Sequence, residues 1–243
     1  MSLSLKIKDA TFTNFFSSLT LPNRSGLVGE YVFGTDAATS GRNRVTGLVD
    51  GTAINTPTFD ANTMGVKSSL TSGQEYGLQL TLVPTADVTL LAVFAKGTKA
   101  QPLVNTTMAA ADTGFYLTSS TTSFDNGYVD GATDQANIAS AAYPASPTYL
   151  FGAGIGRIGS VGKLILYTSG VAASDVGTRT DASRGATPFR LGGYVGGSFG
   201  GGNDVETRIA YLAIFNRMLT DDEVAAAYAQ LKAYYSVSGL TVS

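Results

Sequence analysis

Cysteine, histidine and tryptophan are all missing from this 243-residue chain. Without cysteine there is no disulfide, no thiolate nucleophile and no zinc–thiolate site. Without histidine the Ser-His-Asp triad, imidazole metal ligands and the usual general base near neutral pH are excluded. Any chemistry would rest on carboxylates, Tyr, Lys or Arg, and any metal would be held by oxygen alone, which suits calcium better than zinc. The missing tryptophan removes the broadest aromatic platform for a sugar. Charge is scarce as well: 14% of residues are charged, against roughly 25% in an average domain. The net charge of −2 leaves no basic footprint, so no nucleic-acid partner is expected. The longest apolar run, VTLLAVFA at 88–95, is far too short to span a bilayer, and no membrane insertion is expected. The opening MSLSLKIKD has no positive stretch followed by an apolar core. No signal peptide is therefore expected, and synthesis in a cytoplasm is.

What is present favours one large β domain. Hydrophobic residues make up 44% and glycine contributes 29 residues, enough for a sizeable core with many tight turns. Residues 1–25 differ from the rest. Leu3, Leu5 and Ile7 alternate with polar residues, and Phe12, Phe15, Phe16 and Leu19 follow at helical spacing up to Pro22. This stretch reads as an N-terminal attachment or oligomerisation segment, or else as ordinary packing on its own domain. Residues 26–243 read as the sandwich. GLVGEYVFG (26–34), ADVTLLAVFAKG (86–97), GFYLTSS (114–120), TYLFGAG (148–154), KLILYTSG (163–170) and PFRLGG (188–193) are short apolar runs bounded by turn residues. Such a series indicates a sandwich or jelly roll rather than βαβ units.

The last strand and the helix after it make a pair. In DVETRIAYLAIF (204–215), Asp204, Glu206 and Arg208 share one face by the period of two. Beyond Arg208 both faces are apolar, with Ala210, Leu212 and Ile214 on one and Ile209, Tyr211 and Phe215 on the other. One face can meet the opposing sheet; the other needs a cover. The sequence LTDDEVAAAYAQLKAYY supplies it. Thr220 and Glu223 form a capping box, and Leu219 and Val224 a hydrophobic staple. Val224, Ala227, Tyr228, Leu231 and Tyr235 make one apolar stripe.

The stretch FRLGGYVGGSFGGGNDVETRIAYLAIFNRMLTDDEVAAAYAQ (189–230) resembles the C-terminal signature of laminin-G-like, or concanavalin A-like, domains. GLVGEYVFG, ADVTLLAVFAKG and KLILYTSG resemble that family's opening, central and "LY-x-x-G" strands. Residues 26–59 are also similar to such modules in bacteriophage virion proteins of the tail, baseplate or head decoration. The resemblance implies an all-β fold of two curved antiparallel sheets with one short C-terminal α-helix, and a virion setting reached from the host cytoplasm. It carries over no calcium ligands.

Other motifs weigh less. GIGRIG (154–159) matches the dinucleotide fingerprint, but strand-like SVGKLILY follows where a helix N-terminus is required. Asp125 and Asp130, in the acidic stretch SFDNGYVDGATDQ, are weak calcium candidates, since calcium needs six to eight oxygen ligands and turns favour the same residues; no cofactor is otherwise expected. Asp204 and Glu206 could approach the separation of a glycosidase pair, yet Arg208 stands in the same register, and a salt-bridged strand face is the preferred reading. No catalytic residue is assigned. Tyr194, Asn203 and Asp204, around VGGSFGGG, together with Tyr128, are the candidate carbohydrate site, pairing an aromatic face with polar groups. The sequence thus points to a non-enzymatic virion structural or adhesion protein, partnered by other virion proteins or by itself, with host-surface polysaccharide as its ligand. A free-standing lectin and a polysaccharide-cleaving enzyme are the alternatives.

Overall fold

The structure is a computed structural model that describes residues 19–69, 71–99, 101–106, 114–130, 134–143, 149–157, 159–168, 171–178, 187–193 and 205–243. In chain order these form β1 (Leu27–Val32), α1 (Ala37–Gly41), β2 (Thr52–Ile54), β3 (Met64–Lys67), β4 (Gly77–Gln79), β5 (Asp87–Ala95), β6 (Gln101–Asn105), β7 (Gly114–Ser119), β8 (Ser123–Asp130), β9 (Asp134–Ala142), β10 (Tyr149–Arg157), β11 (Val161–Thr168), β12 (Val171–Thr178), β13 (Arg190–Gly192), β14 (Glu206–Phe215) and α2 (Asp221–Val237). One sheet runs β1-β14-β5-β10-β11-β12, with β3 also on β14; the other runs β2-β4-β13-β6-β7-β8-β9. The expected all-β antiparallel sandwich with one C-terminal helix is the fold.

Side-chain parity explains the layers. Leu90, Ala92 and Phe94 of β5 face the second sheet and meet Phe115, Leu117 and Phe124 there. Leu91 and Val93 point the other way, into a second core beneath α2. Both parities of β5 are therefore apolar because both faces of its sheet are covered. On β10 the inward positions include Gly152 and Gly154, where an added Cβ would collide with Phe124 and Leu117 respectively. Absent side chains on β10 thus receive large ones from the opposite sheet, and Phe124 stacks on Phe94 with ring centroids 4.6 Å apart.

The face assignment read for the last strand needs a correction. The register between β14 and β5 shifts between Ile209 and Tyr211. This bulge inserts one extra residue and resets the alternation. Ile209 joins Leu212 and Ile214 in the inter-sheet core, while Ala210 joins Tyr211, Ala213 and Phe215 under the helix. The bulge also turns the Ala210 carbonyl outward, where it accepts from the Phe33 backbone N–H at 3.0 Å and from Tyr235 Oη at 2.6 Å.

The helix is held as the sequence reading expects. The Thr220 hydroxyl accepts from the Glu223 N–H at 3.3 Å, and the Glu223 carboxylate accepts from the Thr220 N–H at 2.9 Å. The stripe Val224, Ala227, Tyr228, Leu231 and Tyr235 is buried, and Tyr228 stacks on Tyr167 at 4.0 Å. Replacing Thr220 with Ala is expected to cost about 1 kcal/mol, the usual effect of losing an N-cap, measured by denaturant melts.

Arg217 adds a second lock by donating to both Glu223 oxygens, at 2.9 and 2.7 Å. That pairing first, then the Thr220 N–H, lowers the Glu223 carboxyl from 4.5 to about 2. A carboxyl depressed in the folded state contributes stability above its unfolded value, and the contribution is lost as pH falls through the folded one. Melting temperature should therefore fall between about pH 4.5 and 2, and Glu223→Gln should flatten that part of the profile. An unchanged acid limb in the variant would contradict the lock.

Of the 1–25 segment, residues 19–25 are described. Leu19 and Leu21 are buried in the helix-side core, Asn23 donates to Glu223, and Arg24 pairs with Glu30 at 2.9 Å. This part packs on the sandwich. Leu3, Leu5, Ile7, Phe12, Phe15 and Phe16 lie outside the described residues.

Candidate functional site

A cleft of about 550 Å³ opens where the end of β1, the α1 turn, the 61–62 loop and the end of α2 converge. Each wall has a local cause. Asp36 caps α1 by accepting the Thr39 N–H at 2.7 Å. That bond leads the groups that hold its carboxyl below the ordinary value. Ser40 is buried beneath and staples the turn, its hydroxyl donating to the Gly34 carbonyl at 2.8 Å and accepting the Gly34 N–H at 3.1 Å. Gly34 has φ of +153°, and a Cβ there would stand 2.6 Å from the Ala61 carbonyl oxygen, so only glycine lets the two loops meet.

The 61–62 loop is an Asx turn. Asp60 accepts the Asn62 and Thr63 N–H groups at 2.9 and 2.8 Å, and Asn62 Nδ2 donates to the Ser238 carbonyl at 3.2 Å, tying the loop to the end of α2. From α2 come Tyr234, half-buried, and Tyr235, anchored on the β14 bulge. Their rings meet edge-on at 5.0 Å. Next to them Thr35 sits at φ +42°, a left-handed conformation that costs a β-branched residue about 1–3 kcal/mol and is characteristic of functional sites. A second cavity of about 410 Å³ shares Ala61 and Asn62 as a common rim.

The cleft is basic. Arg42 and Arg44 line it, and among the described residues no carboxylate does. In a chain of net charge −2 this is a local reversal of sign. The arrangement can offer the Tyr234 ring, two guanidinium forks and the Thr39 hydroxyl in one concave place.

The candidates read from the sequence fare differently. Tyr194, Asn203 and Asp204 lie outside the described residues. Tyr128 lies on β8, opposite Phe115 and Ala136. The acidic stretch around Asp125 is corrected from loop to strand: Asp125 through Asp130 lie in β8 and Asp134 begins β9. Asp125 is buried and accepts from the Ser123 hydroxyl at 2.9 Å. Among the described residues no group of three or more acidic side chains is placed to hold a metal. The fingerprint glycines Gly154 and Gly156 lie in β10, which runs through a turn at Gly159 into β11. No helix N-terminus follows them.

The Glu206 face is the salt-bridged one. Its carboxylate receives the Arg208 Nε at 2.7 Å, the Tyr76 hydroxyl at 2.6 Å and the Thr58 hydroxyl. Burial, then the bond to Glu206, raises the Tyr76 phenol, which makes it a poor nucleophile near neutral pH. Arg42, Arg44, Asn62 and Tyr234 were not singled out by sequence reasoning. The available signal was the triplet Arg42-Asn43-Arg44 in a charge-poor chain.

No family model and no curated protein matches this chain. Solved structures do. A mutant of Trypanosoma rangeli sialidase displaying trans-sialidase activity shares 13% identity at a TM-score of 0.55, over 86% of this chain and 34% of that one. The binding domain of Botulinum Neurotoxin DC in complex with SialylT shares 7% at a TM-score of 0.60, over 87% and 51%. The chain spans about a third of the sialidase and about half of the toxin fragment. These likenesses show the fold, a two-sheet antiparallel β-sandwich.

Proposed function

We propose that this chain is a non-enzymatic glycan-binding sandwich whose binding site is the cleft between α1 and the end of α2. The observation that carries it is the meeting of the Tyr234 ring with Arg42, Arg44 and Thr39 in one concave site, since sugars need an apolar face covered and hydroxyls hydrogen-bonded. Support comes from two folds of the same kind, one in a sialidase studied with sialic acid and one in a toxin binding domain in complex with SialylT. The absence of enzymatic activity is supported by Glu206, whose carboxylate is taken up by Arg208, Tyr76 and Thr58. A glycan array on the full chain tests the reading. Binding should fall about tenfold or more in Tyr234→Ala while the melting temperature stays close to that of the parent; an array with no bound glycan would overturn it.

The setting proposed is a bacteriophage virion, in the tail, baseplate or head decoration, supported by the sequence resemblance of residues 26–59. In this reading the N-terminal Phe-rich stretch attaches the domain to other virion proteins or to a second copy. Because Leu19 and Leu21 are core, a useful truncation starts at Leu19 rather than after residue 25. Sedimentation should show the full chain associating and residues 19–243 monomeric and folded. A monodisperse full-length monomer would remove the attachment role.

A further inference from the structure

We propose that the cleft selects a carboxylate-bearing sugar, with Arg42 and Arg44 as its anion-binding pair; this rests on the glycan-binding reading above. The two arginines flank Asn43, which is buried and fixed on every side. Its Oδ1 accepts the Glu30 and Val45 N–H groups at 3.1 Å each, and its own N–H donates to Asp50 at 2.8 Å. The Arg44 N–H donates to the Glu30 carbonyl at 2.8 Å. The segment leaves α1 extended, with φ −69° and ψ 120° at Arg42. In an extended segment residues two apart share a face, so an inward Asn43 sends Arg42 and Arg44 outward together, into the cleft they both line.

Their lack of partners is what marks them. Arg24, Arg157, Arg208 and Arg217 each pair with a carboxylate, and Arg190 donates to Gln79 and the Gly193 carbonyl. Among the described arginines, only Arg42 and Arg44 have a side chain with neither an ion pair nor a hydrogen bond. The nearby carboxylates are engaged elsewhere: Asp36 by Thr39, Asp50 by Asn43, and Asp60 by Asn62, Thr63 and Arg208. Two forked, permanently charged donors on a fixed segment match the planar geometry of a carboxylate. Tyr234 beside them supplies a face for the sugar ring that carries it. A phosphate or sulfate would meet the same charge, so the experiment separates these anions.

The full chain is titrated with polysialic acid, polygalacturonate, alginate and hyaluronate, with the carboxyl-reduced form of each, and with dextran sulfate. At least one carboxylated polymer should bind, about tenfold or more tighter than its reduced form. Arg42→Gln and Arg44→Gln should each remove most of that difference without lowering the melting temperature. Affinity should also weaken with added salt. Equal binding of a polymer and its reduced form would overturn the carboxylate assignment and leave glycan binding standing. Stronger binding of dextran sulfate than of every carboxylated polymer would replace carboxylate with sulfate and overturn the proposal. Variants that bind as the parent does would show that the arginines are bystanders. If none of these polymers binds and a neutral glycan array is also blank, the underlying glycan reading fails with it.

Discussion

Tyr235→Ala should destabilise the protein by about 3–5 kcal/mol, the usual range for removing a fully buried aromatic ring. The ring is 1% exposed, and it lies between the end of α2 and the bulged strand β14. Its hydroxyl gives the Ala210 carbonyl a second donor besides Phe33. Tyr235→Phe keeps the ring and loses that bond, so it should cost only about 1 kcal/mol. Burial raises the Tyr235 phenol well above its usual value; the group stays a neutral donor across the working pH range. Denaturant melts of the two variants beside Thr220→Ala give a graded series. Equal and negligible losses would mean that the helix does not cover β14. Because Tyr235 carries Tyr234 beside it, the Ala variant should also weaken ligand binding more than its stability loss alone suggests.

Gly152→Val should be severely damaging, costing more than the roughly 1–3 kcal/mol typical of overpacking, or abolishing folding. A Cβ at this position falls on the Phe124 ring of the opposite sheet. Phe124 is fully buried and stacked against Phe94, so it cannot swing aside. Gly152→Ala is the milder test. Combined with Phe124→Ala, which makes room for the new methyl, its cost should be much smaller than when it is introduced alone, because contacting residues couple. Strict additivity of the two changes would show that the sheets do not meet there.

The elements that could be read from the sequence are those whose signal is local. The capping box of Thr220 and Glu223, the staple of Leu219 and Val224, and the stripe ending at Tyr235 are all encoded within one helix, and each is found in place. β5, β7, β10, β11 and β14 announce themselves by apolar runs. β12, with the sequence VAASDVGT, does not: it is exposed along nearly its whole length and is defined by its pairing with β11 rather than by hydrophobic pattern. Asp125 and Asp130 favour turns as isolated residues, yet pairing with β7 and β9 holds them in a strand. The bulge at Ala210 escapes a count of alternation because that count assumes one residue per step. The cleft escapes for a related reason. Its walls come from Val32 to Arg44, from Ala61 and Asn62, and from Tyr234 and Tyr235. Only the fold brings them together.

Heteronuclear NMR of the full chain titrated with the best-binding glycan of the array tests the placement of the ligand in the cleft between α1 and the end of α2. Shifts on titration should concentrate at Thr39, Arg42, Arg44, Asn62 and Tyr234, and saturate together with one affinity. Shifts centred instead on Tyr128, Tyr194 and Asn203, or spread without saturation, would contradict that placement.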